Sequence, residues 1–536
     1  MRKFFLTAVA VVSIAAIFAY GRNNGPMVMA PEQKLGLTAA LIENYYVEEV
    51  DADTMVTEAI VAMLKTLDPH SAYSTPDETK ELNQPLEGKF SGIGIQFNMV
   101  EDTVYVIQTT QGGPSEKVGI RPGDRIISAN DTVIAGQKLQ NSGIIKVLRG
   151  PKGSRVHLKV KRGDEPQLLD FFLERDDIPI YSVDAKYMVN DSTGFISVTR
   201  FGESTAREVY QAADSLGRLG MRHLILDLSS NGGGYLGAAV ELASEFLDPG
   251  SPVVFTQGLH SDPVHFDAEP GHRLPVDRLV VMVDQYSASA SEIFSGAIQE
   301  NDRGVIVGRR TFGKGLVQRP FPFPDGSMIR LTTARYYTPT GRSIQKPYEK
   351  GKGEEYQLDL LNRYKSGELW HADSVKLDRS QAYKTLREGR TVYGGGGIMP
   401  DVFVPADTSH YSPYYRDLMA KGVMVKYVLG YIDQHRAAMV GQFPSEDDFI
   451  AGYEPDAEIV DGLKAAAEKA GIKYDETQWE TSRPLILAIL KGLLVRDLYE
   501  DGQYVRAVNP LNTTFVEALS VIQDPGRYGR VLRGRQ

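Results

Sequence analysis

His223-Leu-Ile-Leu-Asp-Leu228 runs directly into Ser-Ser-Asn231-Gly-Gly-Gly234. A nearly continuous apolar run suits a strand covered on both faces, the environment of a parallel sheet. Glycines placed straight after it let the backbone turn sharply and approach a neighbouring element closely. Leu279-Val-Val-Met-Val283 and Val305-Ile-Val307 repeat the same character, and Phe195–Thr199 reads as a further strand. Thr205 and Glu208 have the spacing of a capping box for a helix ending near Gly220. Strands alternating with helices in this way define an α/β core.

Outward from that core the pattern changes twice. From Gly88 to Arg162, short β-branched runs such as Val104-Tyr-Val-Ile107, Arg125-Ile-Ile127 and Val156-His-Leu-Lys-Val160 are separated by glycine turns, which describes a small β domain. Residues 31 to 85 have helical periodicity, with a stop at Leu67-Asp-Pro-His70, where proline disfavours helix in the residue before it. Tyr348 to Tyr393 is rich in charge and reads as a polar insertion. It ends at Gly394-Gly-Gly-Gly397, a hinge or tight-turn cluster, before Ile398-Met-Pro-Asp401 resumes the core. Beyond Thr408 the chain reads as largely helical, in Tyr427–Met439, Ala457–Ala470 and Arg483–Leu498.

Length and composition bound the function. A chain of 536 residues exceeds one ordinary core and calls for three or four domains. A formal charge of −10 argues against nucleic acid or anionic lipid as the main partner and serves as a solubility margin. With no cysteine, thiolate catalysis, disulfides, zinc–thiolate sites and a lipid-modified cysteine are excluded. Met1-Arg-Lys3 followed by 17 uncharged residues, Phe4 to Tyr20, is an export signature. That run is long for a cleaved signal and short for a span of ~20 residues. No clean small-x-small pattern precedes Gly21, so the reading favours an uncleaved anchor.

Chemistry concentrates in Ser287-Ala-Ser-Ala-Ser-Glu292 and Phe312-Gly-Lys314-Gly-Leu-Val-Gln318. Ala290, Ile293, Phe294, Ala297 and Ile298 form one buried helical face, which puts Ser289 at a helix start beside free backbone N–H groups. Those donors suit an oxyanion. The same spacing, Ser289-x-x-Glu292, is also a capping box, and helix position alone leaves both readings open. Lys314 and Gln318 are four apart on an apparent strand and share a face, so Gln318 can hold the amine. Phe312, Leu316 and Val317 supply apolar surroundings that lower a lysine pKa, against the alternative of a surface lysine on an edge strand. Gly308-x-x-x-x-Gly313-Lys314 imitates a phosphate loop, but Gly315 stands where a Ser or Thr would hold magnesium. Asn231-Gly-Gly-Gly234 is equally a plain turn or a nest of N–H groups for an anion. The nine histidines have neither His-Glu-x-x-His nor clustered ligand spacing, so no metal site and no Ser-His-Asp triad is expected.

These motifs, with Tyr336-Tyr-Thr-Pro-Thr-Gly-Arg-Ser343, Leu67-Asp-Pro-His-Ser-Ala-Tyr73 and Ile398-Met-Pro-Asp401, resemble the carboxyl-terminal processing peptidases, the tail-specific proteases of family S41, over roughly residues 35 to 406. The resemblance implies Ser289 as nucleophile, Lys314 as general base and Gln318 as the residue orienting it. Backbone N–H of Ala290 and of Gly232 or Gly233 would form the oxyanion hole, and no cofactor is needed. The family's Asp-Leu-Arg-x-Asn-Pro-Gly-Gly is Asp227-Leu-Ser-Ser-Asn-Gly-Gly-Gly234 here, which loosens the turn. Phe90-Ser-Gly-Ile-Gly-Ile95 and Gly113-Pro-Ser-Glu-Lys-Val-Gly-Ile-Arg-Pro-Gly-Asp124 are similar to a PDZ domain, with Gly92, Ile93, Gly94 and Ile95 presenting N–H groups to a peptide's terminal carboxylate.

The expected architecture is α+β multidomain: an α/β core of the crotonase/ClpP-like kind, an inserted all-β PDZ domain and helical ends. The expected boundaries are 1–24 signal peptide or anchor, 25–87 helical, 88–172 PDZ and 173–347 peptidase core continued at 394–406. The insertion is 348–393 and the C-terminal helical domain 407–536. Expected partners are protein substrates held by their C-terminal tails, a homo-oligomer or adaptor through the helical ends, and the membrane through an uncleaved N-terminus. The expected location is the bacterial envelope, on the periplasmic side. The competing readings are a PDZ scaffold with an inactive or gated peptidase fold, in which the PDZ domain covers the cleft until a tail binds and Arg149 is a contact for that switch, and an acyl-CoA enzyme on a related fold.

Overall fold

His223–Asp227 is a central strand of a six-stranded sheet, and its apolar composition follows from being covered on both faces. The spatial order is Val183–Met188, Thr193–Val198, His223–Asp227, Arg278–Val283, Val305–Gly308 and Val402–Phe403. The first pair is antiparallel and all later pairings are parallel. In register, Leu226 lies between Ile196 and Val281. The computed structural model describes residues 29–535 except 101, 164, 272, 377 and 500–502, so the export segment lies outside the described residues. No helix among the described residues is long and apolar enough to cross a membrane.

Alternation along the strands sorts the two faces. Ile196, Leu224, Leu226, Leu279 and Val281 pack on the helices Thr205–Arg218, Leu236–Ser244 and Ala290–Glu300. Phe195, Ile225, Val280, Met282 and Val307 pack instead on Phe515, Val521, Ile522 and Tyr528, from the last two helices, Thr513–Gln523 and Pro525–Leu532. These helices therefore complete the α/β core, whereas the sequence reading places them in a separate C-terminal domain. The helices from Pro413 to Leu498, joined by Tyr504 and Val508 of the next helix, form a cluster of their own. The expected capping box at Thr205 is not made either. Thr205 accepts from Gly202 N–H at 2.9 Å, and Glu208 accepts from Ser182 and Val183 N–H at 2.6 and 3.0 Å, tying the helix to the edge strand.

A second, antiparallel sheet joins Leu316–Pro322, Met328–Tyr337, Pro252–Gly258 and Ser261–Asp267, with Ala72–Ser74 on the far side of Met328–Tyr337. The 348–393 segment is largely exposed but docks through a few buried ion pairs. Arg310 and Arg363 share Glu368 at 2.7 Å each, while Arg390 holds Asp302 at 2.8 Å and Asp401 at 2.5 Å. Removing one partner of such a pair leaves an uncompensated buried charge, at a cost of about 3–5 kcal/mol. Gly394–Gly397 makes tight turns with Gly395 and Gly397 at φ 83° and 90°.

The sheet of the small β domain runs Ile95–Val100, Thr103–Thr109, Arg125–Ala129, Arg155–Lys161, Leu169–Glu174, which leaves Ile95–Val100 at its edge. Val104 and Val106 face the domain's own core, and Tyr105 and Ile107 face Leu429 of the helix Val423–Gln442. Asp433 on that helix accepts from Tyr105 Oη and, at 2.8 Å, from Arg125. Gln108 Nε2 donates to the carbonyls of Arg496 and Tyr499 at 2.8 and 2.9 Å, where the helix Glu476–Leu498 runs out of internal donors. The small β domain is thus seated on the C-terminal helices by one face, with its edge strand left over.

Candidate active site

The turn before Ser289 is built by Asp284, whose carboxylate accepts from the N–H groups of Ser230, Tyr286 and Ser287 at 2.9–3.0 Å. The helix Ala290–Glu300 follows, buried along its whole length. The three serines of the run then separate by environment. Ser287 Oγ donates to the Leu228 carbonyl at 2.7 Å and Ser291 Oγ to the Asn231 carbonyl at 2.9 Å, both buried. Ser289 is half-buried at the junction, with φ 58° and ψ −115°. A non-glycine residue held there stores on the order of 1–3 kcal/mol of strain, as nucleophiles on sharp strand-to-helix turns do. Ala290 is the first helical residue, so its N–H has no intrahelical acceptor.

The glycine turn lies against this junction. Ala288 N–H donates to the Asn231 carbonyl at 3.0 Å, and Asn231 Nδ2 donates to the Val198 carbonyl at 2.7 Å. Gly233, at φ 96°, is where a side chain has no room: a Cβ would stand 2.7 Å from Ser289 Cβ and 2.8 Å from Ala290 N. Its own N–H is engaged by Asn231 Oδ1 at 2.9 Å. Gly233 therefore opens space over the Ala290 N–H instead of presenting a free donor, which corrects the expectation for that residue; Gly232 is exposed beside it.

Lys314 sits in an irregular loop just before the strand Leu316–Pro322, not on the strand as its spacing implies. Its Nζ donates to Gln318 Oε1 at 3.2 Å, and Gln318 Nε2 donates to the carbonyl of His70. A β-bulge falls between Val317 and Gln318, so strand parity is not what brings lysine and glutamine together. Burial pushes the Lys314 amine below its ordinary value, and the neighbouring Arg330 adds to this, while Glu292 and Asp68 oppose it. Gly313 and Gly315 allow the loop to lie close to its neighbours. A Cβ on Gly315 would be 3.0 Å from Gln345 N, and one on Gly313 would be 3.1 Å from Lys346 Cβ and Gly397 N.

Two residues unite the halves of the site. Glu292, fully buried, accepts from Ser289 N–H and Lys314 N–H on the same oxygen, Oε2, at 2.9 and 2.8 Å. Its Oε1 accepts from Thr311 Oγ1 at 2.5 Å and Gly313 N–H at 2.7 Å. Burial raises the Glu292 carboxyl above its ordinary value, and these hydrogen bonds pull the other way. Tyr336 Oη faces the carbonyls of both Ser289, at 3.1 Å, and Lys314. The backbones of Ser289 and Lys314 are thereby clasped at both their N–H and C=O groups. Sequence reasoning took Glu292 only as the far end of a capping box and gave Tyr336 no role. The carboxylate half of that box exists, but nothing in the local pattern signals its reach to residues 311–314.

In the PDZ loop, the Ile93 carbonyl accepts from Ser115 N–H and Oγ at 3.0 and 2.7 Å, and the Gly94 carbonyl accepts from Thr110 N–H at 2.9 Å. Gly94 has φ 72°, and Gly92, Ile93 and Gly94 are buried, with Ile95 opening the edge strand. Arg149 turns toward the N-terminal helical region. Its guanidinium lies 4.2 Å over the Phe90 ring and donates to Gln84 Oε1 at 2.7 Å, on the helix Pro76–Glu87.

A parallel-sheet core with a serine at a helix start, a buried lysine and an attached PDZ module defines a class of serine-type peptidase. Residues 192–351 match the model of peptidase family S41, residues 91–172 that of a PDZ domain, and residues 414–501 a family of unknown function. The chain is 34% identical to the carboxy-terminal processing protease CtpB of Bacillus subtilis over 343 residues, 63% of this chain and 70% of that protein. It is 30% identical to CtpA of the same organism over 385 residues, 69% and 82% of the two chains. Among solved structures, a photosystem II D1 C-terminal processing protease matches at 28% identity and TM-score 0.34, over 59% of this chain and 91% of that one. The protein belongs to peptidase family S41 as a carboxy-terminal processing protease with a PDZ domain.

Proposed function

We propose that the protein is an exported endopeptidase that takes hold of substrate C-terminal tails on its PDZ domain and cleaves through Ser289 and Lys314. The observation that carries this reading is the shared Glu292 oxygen, which makes the main chains of Ser289 and Lys314 neighbours while Gln318 holds Nζ. A lysine can act as base only when neutral, and burial moves Lys314 in that direction. Neutral Nζ takes the Ser289 Oγ proton as Oγ bonds to the scissile carbonyl carbon. The oxyanion is met by the Ala290 N–H, with the N–H of Gly232 as a second contributor. Collapse breaks the C–N bond, the departing amine takes the proton from Nζ, and the acyl-enzyme ester is then hydrolysed by water that Lys314 deprotonates.

Tail capture is supported by the free edge of Ile95–Val100 and by carbonyls of residues 93 and 94 that are committed inward. An extended peptide would add as a strand, its carboxylate on the N–H groups of residues 92–95. Export is supported by the Met1–Tyr20 segment, and envelope location, periplasmic or tethered, follows from it. In the test, Ser289→Ala and Lys314→Ala should each abolish cleavage of a tail-bearing protein while leaving binding of the tail peptide intact. Turnover retained by either purified variant would sink the assignment.

A further inference from the structure

Tyr356 lies beyond the residues matched by the peptidase family and belongs to none of the motifs discussed above. It comes from the polar 348–393 segment, yet its side chain is only 6% exposed and packs against His70 and against Phe312, two residues before Lys314. Its ring meets His70 edge-on at 5.0 Å and Phe312 at 5.9 Å, and Lys346 Nζ lies 4.0 Å over it. Its hydroxyl receives Gln345 Nε2 at 3.3 Å and is 3.0 Å from His70 Nε2. Burial, with Lys314 nearby, pushes the His70 imidazole down to about 4. His70 is therefore neutral at physiological pH, and the arrangement that satisfies all partners has the phenol donating to Nε2.

His70 is fixed at three points. Its N–H donates to Asp68 Oδ1 at 2.9 Å, its ring is held by Tyr356, and its carbonyl accepts from Gln318 Nε2. The last contact matters because the two ends of a glutamine amide have nearly the same shape. Only an acceptor at Nε2 ensures that Oε1, and not the NH2 group, faces the lysine amine. Placing the His70 carbonyl thus decides whether Gln318 can hold Lys314 Nζ at 3.2 Å.

We propose that Tyr356 is a positioning residue for Lys314, acting through the His70 imidazole and carbonyl and the Gln318 amide. The inference rests on Lys314 being the base. It gives the 348–393 segment a function: the segment closes the lysine pocket and sets the direction of the amine.

The test uses the full chain and a fluorophosphonate, which forms a bond from Ser289 Oγ to phosphorus with loss of fluoride. Labelling is followed from pH 6 to 10, alongside tail-peptide affinity and Tm. Groups facing the amine that could move its titration are Glu292, Asp68 and Arg330, with His70, Lys346 and Tyr356 behind. Tyr356→Phe keeps the ring, so labelling should slow about tenfold and its pH profile should shift, with tail affinity and Tm unchanged. In a Gln318→Ala background the same substitution should have no further effect, because the route is already cut. Labelling of Tyr356→Phe at the wild-type rate, or its full effect persisting without Gln318, overturns the proposal. Should Gln318→Ala label too slowly to follow, the single-variant rates decide. Should Tyr356→Phe lower Tm, His70→Leu breaks the same bond from the other side and is judged alike. Lys314→Ala labelling at the wild-type rate would instead overturn the reading of Lys314 as base.

Discussion

Ser289 and Lys314 are held in opposite ways. The serine is set mainly by nearby sequence, the Asp284 turn and the helix beginning at Ala290, with the glycine turn after His223–Asp227 and the Tyr336 hydroxyl as its distant contacts. The lysine stands in a loop without regular structure, held from far apart in the chain by Glu292, the His70–Gln318 pair, Gln345 and Tyr336. A nucleophile that needs strain and free N–H donors can be made locally. A base that needs desolvation must be enclosed by whatever the fold brings over it. The serine half should therefore fail by steric intrusion and the lysine half by loss of enclosure.

The largest effect should come from removing either reacting group. Ser289→Ala and Lys314→Ala should each lower kcat by about 10⁴-fold or more, and the double variant should be no worse, since groups acting as a unit are not additive. Lys314→Arg should be equally inactive because a guanidinium stays charged; steady-state cleavage of a tail-bearing substrate measures all four. Next, Gly233→Ala should cost about 10²–10³ in kcat, as its methyl occupies the space over the Ala290 N–H, with tail-peptide affinity unaffected in a binding assay. Gln318→Ala should be milder, about tenfold in kcat with KM unchanged, because it releases the amine without removing it.

The smallest effect is on stability and has the opposite sign. Lys314 has a folded-state pKa below its ordinary value, so between the folded and unfolded pKa the unfolded chain binds more protons there than the native one. That penalty is full below the folded pKa and fades as pH climbs toward the unfolded value near ~10.4. Lys314→Met should accordingly be inactive yet melt at a higher temperature at pH 7, with the gain shrinking by pH 10. A variant that melts lower at pH 7 would mean that the pocket favours the ammonium form.

Local pattern carried much of this into view. The apolar strands at 223–227, 278–283 and 305–308 lie where periodicity puts them, as does the helix following Ser289. What escaped was long-range. Lys314 and Gln318 meet across a bulge and a loop, although alternation on a strand was the reason to pair them. Glu292 satisfies a local helix rule and simultaneously binds residues 311–314, which no spacing reveals. The helices at 513–532 follow a run of other helices in sequence, and it is the open second face of the sheet that claims them for the core. The charged 348–393 segment reads as a polar insertion, and nothing in its composition signals that Arg363, Glu368, Arg390 and Tyr356 are buried.

The central claim is that Ser289 becomes covalently acylated because Lys314 deprotonates it. Rapid-quench mass spectrometry of the intact protein turning over an activated peptide ester tests this most directly. A single acyl adduct should build up, map to the peptide containing Ser289, and fail to form within turnover time in Lys314→Ala. An adduct on any other residue, or one forming at the wild-type rate in Lys314→Ala, would contradict it.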